Sequence, residues 1–210
     1  MIKVLVADDH SIIRKGLRQV LDDTKDMRVT GEAESGMQAI HMALEGDYDL
    51  VLLDITLSDK NGIEVLKQLK QSKPQLPVLI LSMHPEEQYA MRSLKAGASG
   101  YLNKQGAPSE LVTAIRQVAN GKKYISPQLA EELAEGLSQG YQELSHQTLS
   151  NREYQTLCLM ASGKKLSEMA QIMALSPKTV SVYRARLLEK MKLKTNAEAI
   201  HYAITNHLID

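Results

Sequence analysis

The sequence predicts a doubly wound α/β domain followed by a smaller all-α domain. Three observations lead there. Five short apolar runs, each closed by turn-prone or charged residues, alternate with segments of helical period across residues 1–122. Beyond residue 121 the short apolar runs stop and only helical periods recur. The formal charge of zero also conceals a split. Residues 1–146 hold 16 Lys+Arg against 20 Asp+Glu, a balance of −4, whereas residues 147–210 hold 9 against 5, a balance of +4. With 210 residues the chain is long enough for two domains that each bury a core. Charge asymmetry of this kind points to a different partner for each part, and the basic part suits nucleic acid.

The first apolar run, residues 2–7, ends in Asp8-Asp9-His10-Ser11. A helix follows, with Ile12, Ile13, Leu17, Val20 and Leu21 at helical spacing. Residues 29–33 give a second strand and residues 36–44 a second helix, with Met37, Ile40, Ala43 and Leu44 expected inward. Leu50 to Leu53 is an unbroken apolar run, as expected of a strand buried on both faces, and it ends at Asp54. Asn61-Gly62 marks a turn before a helix over 63–69, and Pro74 and Pro77 bracket the next loop. Residues 78–81 form a fourth strand ending at Ser82, and a helix over 85–95 stops at Gly97. Residues 100–104 make a short fifth strand, and Pro108 opens a fifth helix through Val118. Strand and helix alternating five times imply a parallel sheet covered on both faces.

In open parallel sheets, ligands sit beyond the carboxyl ends of the strands. Strand one brings Asp8 and Asp9 to that edge, strand three Asp54, strand four Ser82 and strand five Lys104. Taken singly, each has a plain structural alternative: a helix cap, a turn residue, a solvated lysine. Together they make a chemistry. Three carboxylates repel and call for a cation, and an oxygen-only site suits Mg2+. Lys104 offers a positive charge and Ser82 a hydroxyl to a phosphoryl group, and an aspartate can form an aspartyl-phosphate.

Other chemistries are excluded by composition. Cys158 is the sole cysteine, so there is no internal disulfide and a reducing compartment fits. The six His and one Cys lack zinc-ligand spacing. No apolar run approaches the roughly 20 residues needed to span a bilayer. Residues 1–9 turn acidic too early for a signal peptide, so the protein reads as cytoplasmic and without a membrane partner.

After residue 121 the chain is polar and turn-rich, then shows Leu129, Leu133, Ala134 and Leu137 at helical spacing, a linker helix over 128–137 with a flexible joint at 138–146. Ser150 and Glu153 form the capping box of a new helix that ends at Gly163. A short helix reaches Met173, and Ser176-Pro177 then opens a third. Helix, tight turn, helix is the arrangement whose second helix enters the major groove. That helix, over 177–191, buries Val180, Leu187 and Met191 and shows Lys178, Ser181, Val182, Arg184, Ala185, Arg186 and Lys190. A basic amphipathic helix with a merely solvated face is the alternative. A last helix over 196–206 carries Ala199, Ile200, Ala203 and Ile204 on one stripe.

The strand-end set makes residues 1–122 similar to the receiver domain of two-component response regulators, a flavodoxin-like (βα)5 fold. The resemblance implies that Asp54 is the phosphoacceptor for a sensor histidine kinase. It implies Mg2+ held by Asp9 directly, by Asp8 through water or from outside, by Asp54, and by the backbone carbonyl of Thr56. Lys104 pairs with the phosphoryl oxygens, Ser82 rotates to bond the phosphoryl, and Tyr101 moves inward behind it as a switch. Thr56 and His84 flank the phosphoryl. Such a receiver is no enzyme beyond its own phosphorylation and dephosphorylation. Two positions depart from the pattern, Ser58 and Gln105, where prolines are common, and both concern loop shape.

Residues 147–210 resemble the LuxR-type helix-turn-helix, a four-helix domain. The resemblance rests on Leu149-Ser150-x-Arg152-Glu153, on Ser176-Pro-Lys-Thr179-Val180, and on residues 190–194 followed by Ala197-Glu198-Ala199. Together the halves resemble the NarL/FixJ family of response regulators, and the stretch over 175–186 is similar to its GacA/UvrY subgroup. This implies double-stranded promoter DNA as partner. Ser181, Val182 and Ala185 then face base edges, while Lys178, Thr179, Tyr183 and Lys190 lie near phosphates. Longer polar residues are frequent in that family at the positions of Ser181 and Ala185. Arg184, Arg186 or DNA shape thus carries part of the specificity. The resemblance further implies a homodimer on phosphorylation, with the exposed part of the last helix as a contact. Two other readings stay open on the sequence: constitutive DNA binding with a non-gating receiver, and a C-terminal domain that binds protein.

Overall fold

The computed structural model describes residues 1–83, 86–106, 108–127, 129–131, 145–206 and 208–209. The chain divides into two compact units, residues 1–134 and 135–210.

The first unit alternates as expected. In order come β1 (Ile2–Ala7), α1 (Ser11–Asp22), β2 (Met27–Ala33), α2 (Gly36–Glu45), β3 (Leu50–Leu53), α3 (Gly62–Ser72), β4 (Val78–Ser82), α4 (Glu86–Lys95), β5 (Gly100–Asn103) and α5 (Pro108–Ala119). The five strands pair in parallel in the order β2-β1-β3-β4-β5, the flavodoxin-like order. Strands β1, β3 and β4 are buried on both faces along most of their length and carry runs of Leu, Val and Ile, whereas the edge strand β2 alternates and leaves Arg28 and Thr30 exposed. Val4, Val6, Leu50, Leu52, Leu79, Leu81 and Leu102 pack on one face with Leu17 and Leu21 of α1 and Leu111, Ile115 and Val118 of α5. The residues between them on each strand point to the other face.

Element ends in this unit match the sequence reading within one or two residues, the usual scatter of frayed termini, except that α3 runs three residues further, to Ser72. Three inward assignments do not hold. Ile12 is 81% exposed, and Arg14 takes a buried place in α1 instead. On α2 the buried stripe is Gly36, Ala39, Ile40 and Ala43, leaving Met37 and Leu44 exposed.

The segment after α5 stays with the first unit. Tyr124 forms a parallel bridge with Gly100 on the free edge of β5, its N–H donating to the Ser99 carbonyl at 2.8 Å. Its hydroxyl donates to Glu110 at 2.9 Å. Burial, and then the Glu110 carboxylate, push the Tyr124 hydroxyl up to about 12. The expected linker helix and joint, and His84, lie mostly or wholly outside the described residues.

Among its described residues the second unit has helices and no strand: a 3-10 turn (Ser145–Thr148), then α6 (Asn151–Ala161), α7 (Leu166–Ile172), α8 (Pro177–Lys190) and α9 (Asn196–Thr205). Its core gathers Tyr154, Leu157, Met169, Met173, Val180, Leu187, Ala199 and Ala203. The α6 capping box is formed, with Ser150 accepting from the Glu153 N–H and Glu153 accepting from the Ser150 N–H. The turn between α7 and α8 puts Ala174 at φ 52°, a left-handed position that a non-glycine residue occupies at some cost. No described helix is long and apolar enough to cross a membrane.

Candidate functional site

Register builds the first site. Ala7 pairs with Leu53, so the residues that follow, Asp8 and Asp54, emerge side by side. The Asp54 N–H donates to the Ala7 carbonyl at 2.9 Å and the Asp8 N–H to the Ala33 carbonyl at 3.1 Å. On the other side Ser82 pairs with Asn103, and the Lys104 N–H donates to the Ser82 carbonyl at 2.8 Å. The strand ends are therefore laced to one another by backbone bonds, and their side chains have little freedom to miss.

The side chains meet. Lys104 Nζ donates to Asp8 Oδ2 at 2.6 Å and to Asp54 Oδ2 at 2.7 Å, with all three side chains nearly buried. One ligand atom from each of Asp8, Asp9, His10 and Asp54 lies within 4.8 Å of the others. The Asp9 Oδ1 atom is shielded from solvent and accepts no hydrogen bond. His10 Nδ1 stands 2.8 Å from it without making one. Burial pushes the Asp54 carboxyl above the usual carboxylate range; Lys104 opposes this and the Asp8 carboxylate reinforces it. Three carboxylates facing one ammonium leave the pocket electrostatically unfinished, and an orphaned buried carboxylate oxygen is what a hard cation would satisfy. The donor set fits Mg2+.

The Thr56 N–H donates to Asp54 Oδ1 at 3.2 Å. Ser82 and Tyr101 are fully buried, so the Tyr101 ring already lies inside. Gly62 opens α3 directly against the site, where a Cβ would sit 2.0 Å from the Asp54 carbonyl and 2.8 Å from Ile55 Cα. Only glycine permits this approach. Sequence reasoning missed three contributors. His10 was signalled by its adjacency to Asp8-Asp9. Gly62 was read only as a turn. Asp59, which accepts from the Gly36 and Met37 N–H groups at 2.7 and 2.9 Å, ties the loop after Asp54 to the start of α2. Burial works against the Asp59 carboxyl, yet those backbone bonds hold it below the usual carboxylate range.

The second site is α8. Ser176 caps it, accepting from the Thr179 N–H at 3.1 Å, with Pro177 at its first position. Val180 and Leu187 are buried, and Met191 just beyond is 6% exposed. Lys178, Val182, Ala185, Arg186 and Lys190 are exposed, and Thr179, Ser181, Tyr183 and Arg184 are half-buried. Lys190 has a partner within the domain, since its Nζ donates to Glu153 Oε2 at 2.7 Å. Burial pushes the Glu153 carboxyl up, but Lys190 and the Ser150 cap outweigh it and hold it low. Arg152 Nη1 donates to the Met173 carbonyl at 3.3 Å, fixing α6 to the end of α7.

Both parts of the chain match known families. Residues 4–116 match the response regulator receiver domain, and residues 147–203 match the bacterial regulatory proteins of the luxR family. The chain is 36% identical to the response regulator UvrY of Escherichia coli over 99% of its length and 96% of that protein's. It is equally similar to the response regulator GacA of Pseudomonas aeruginosa, over 100% and 99%. Among solved structures it is similar to RcsB from Salmonella enterica serovar Typhimurium bound to promoter rprA with the phosphomimetic BeF3−. That match has a TM-score of 0.65 and 26% identity, covering 96% of this chain and 97% of that one. With a receiver fold over one half, a helix-turn-helix over the other and full-length relatives at this identity, the chain belongs to the two-component response regulators with a LuxR-type DNA-binding domain.

Proposed function

We propose that Asp54 accepts a phosphoryl group from a sensor histidine kinase, or from a small acyl phosphate, and that this controls DNA binding by α8. The observation that carries the proposal is the buried ammonium of Lys104 shared between Asp8 and Asp54, beside an unsatisfied Asp9 oxygen. Asp8, Asp9, Asp54 and the Thr56 carbonyl would hold Mg2+, which when bound supplies charge neutralisation for incoming phosphoryl oxygens. An Asp54 carboxylate oxygen attacks phosphorus, the donor imidazole or carboxylate leaves with its electron pair, and an acyl-phosphate forms. Lys104 then exchanges its bond to Asp54 for one to a phosphoryl oxygen. The Ser82 hydroxyl donates to another, and Tyr101 packs behind Ser82. The phosphoryl group adds about −1.5 to −2 of charge, which biases this two-state element.

Residues 1–122 serve as the receiver, 123–146 as the joint and 147–210 as the DNA-reading domain. We place the protein in the cytoplasm, acting as a homodimer on double-stranded promoter DNA when phosphorylated. Helix α8 enters the major groove with Ser181, Val182 and Ala185 at base edges. Lys178, Thr179 and Tyr183 lie at phosphates, and Arg184 and Arg186 supplement the readout. Lys190 would reach a phosphate only by leaving Glu153.

The test is DNA affinity and solution mass with and without BeF3− and Mg2+, for wild type and Asp54→Ala. A shift to dimer and tighter DNA binding in wild type alone is the expected result. Equal binding in every condition would favour a receiver that does not gate the helix-turn-helix. An absence of salt-dependent DNA affinity would favour a protein partner for the second unit.

A further inference from the structure

The acid pocket is braced from behind by a buried arginine. Arg14 lies in the second turn of α1 with its side chain 7% exposed. Its Nη1 donates to the backbone carbonyl of Asp8 at 2.8 Å, its Nε to Glu32 Oε2 at 3.2 Å, and its Nη2 to Glu34. Arg18 completes the set, with Nε on Glu32 Oε1 at 2.8 Å and Nη1 on the Val29 carbonyl at 3.3 Å. Two guanidinium groups and two carboxylates cancel, so the network adds little net charge to the pocket. What it does contribute is a fixed peptide. The Asp8 carbonyl belongs to the peptide unit that joins Asp8 to Asp9, and the two carboxylates hang from either end of that unit.

We propose that Arg14 is a positioning residue for the cation site, acting through the Asp8–Asp9 peptide. This rests on the reading of Asp8, Asp9 and Asp54 as that site. Three carboxylates gathered in a poorly solvated pocket push one another apart. Lys104 resists this at the Asp8 and Asp54 side chains. Asp9 is held less firmly: His10 Nδ1 stands 2.8 Å from its Oδ1, but on an exposed side chain, and that oxygen accepts no hydrogen bond. Its place is set by the backbone turn leading into α1, and Arg14 ties that turn to the end of β2. The planar guanidinium fork reaches a carbonyl on one side and carboxylates on the other at once, which a single ammonium cannot do.

The experiment uses the full-length protein, titrated calorimetrically with MgCl2 at a temperature where circular dichroism shows every variant folded. Arg14→Met and Arg14→Lys are compared with wild type and with Arg18→Met, which removes the outer half of the same network without touching the Asp8 carbonyl. The expected result is a loss of Mg2+ affinity of roughly 10- to 100-fold in Arg14→Met. Arg14→Lys should show a comparable loss, because charge without the fork does not restore the peptide. Arg18→Met should lower the melting temperature while keeping the wild-type affinity. Wild-type affinity in Arg14→Lys or Arg14→Met overturns the proposal, as does an equal loss in Arg18→Met, which would reduce the network to general stability. If wild type itself bound no Mg2+, the cation-site reading would fall, and this proposal with it.

Discussion

The acid pocket and helix α8 hold charge under opposite conditions. At the pocket, Asp8, Asp54 and Lys104 are nearly removed from water, and their positions are set by strand register and backbone hydrogen bonds. On α8, Lys178 and Arg186 stand in solvent, and only the apolar side of the helix is fixed by packing. A buried charge must find compensation inside the molecule, so its partners can be named from the fold alone. An exposed charge is compensated by water until a polyanion replaces it. The difference teaches that the pocket is a built device with an energetic cost, while α8 is a surface whose meaning lies in what it meets. Lys190, on α8 but bound to the buried Glu153, is the point where the two conditions overlap.

The largest effect that would sharpen this contrast comes from Lys104→Met. Removing one partner of a buried ion pair leaves uncompensated charge, so the variant should lose about 3–5 kcal/mol in urea unfolding at neutral pH. The sign of the pH dependence follows from Asp54. Its carboxyl already lies above its unfolded value, and Lys104 is what restrains it. A carboxyl raised by folding disfavours the native state once it ionises, so stability falls as pH rises through the unfolded value toward the folded one. The Lys104→Met deficit should therefore shrink as pH is lowered from 7 to 4. A deficit independent of pH would break the contrast.

Next is Gly62→Ala. A Cβ there meets the backbone of Asp54 and Ile55, which no rotamer can relieve. A loss of roughly 1–3 kcal/mol is expected, together with weaker BeF3− binding, because the backbone that must move carries the phosphoacceptor. Unchanged BeF3− affinity would show that α3 and Asp54 are not coupled.

Glu153→Ala tests a buried carboxylate that braces α8. It removes half of a capping box and the partner of Lys190, at a cost of roughly 1–3 kcal/mol. Here the sign is reversed. Glu153 is held below its unfolded value, so its contribution is present at neutral pH and lost as pH falls through the folded value. Thermal unfolding from pH 7 to 3 should show wild type losing stability that the variant never had. The smallest effect is Lys178→Ala. As an exposed residue it should alter stability by less than about 0.5 kcal/mol, yet lower the slope of log affinity against log salt on duplex DNA by about one.

Much of the pocket was legible because parallel sheets send strand ends to one edge, and a short buried strand announces itself as an apolar run. Asp8, Asp9, Asp54, Ser82 and Lys104 could be read from that geometry alone. Arg14 could not, since its position on α1 looked like any other polar interruption, and its burial depends on Glu32 and Glu34 across the helix–strand interface. Ile12 was misplaced for the same reason: helical spacing gives a stripe, and only packing decides which edge of the stripe faces in. The attachment of Tyr124 to β5 was invisible because one bridge leaves no periodic trace. On α8 the buried side was legible from Val180 and Leu187. The Glu153–Lys190 pair, 37 residues apart in sequence, was not.

The most direct test of the central claim is chemical. The full-length protein is incubated with a small acyl phosphate and Mg2+, and its intact mass and modified residue are determined. One phosphoryl group that is labile to hydroxylamine, located on Asp54 and absent from Asp54→Asn, is the predicted result. Equal incorporation by Asp54→Asn, or a label on another residue, would contradict the account.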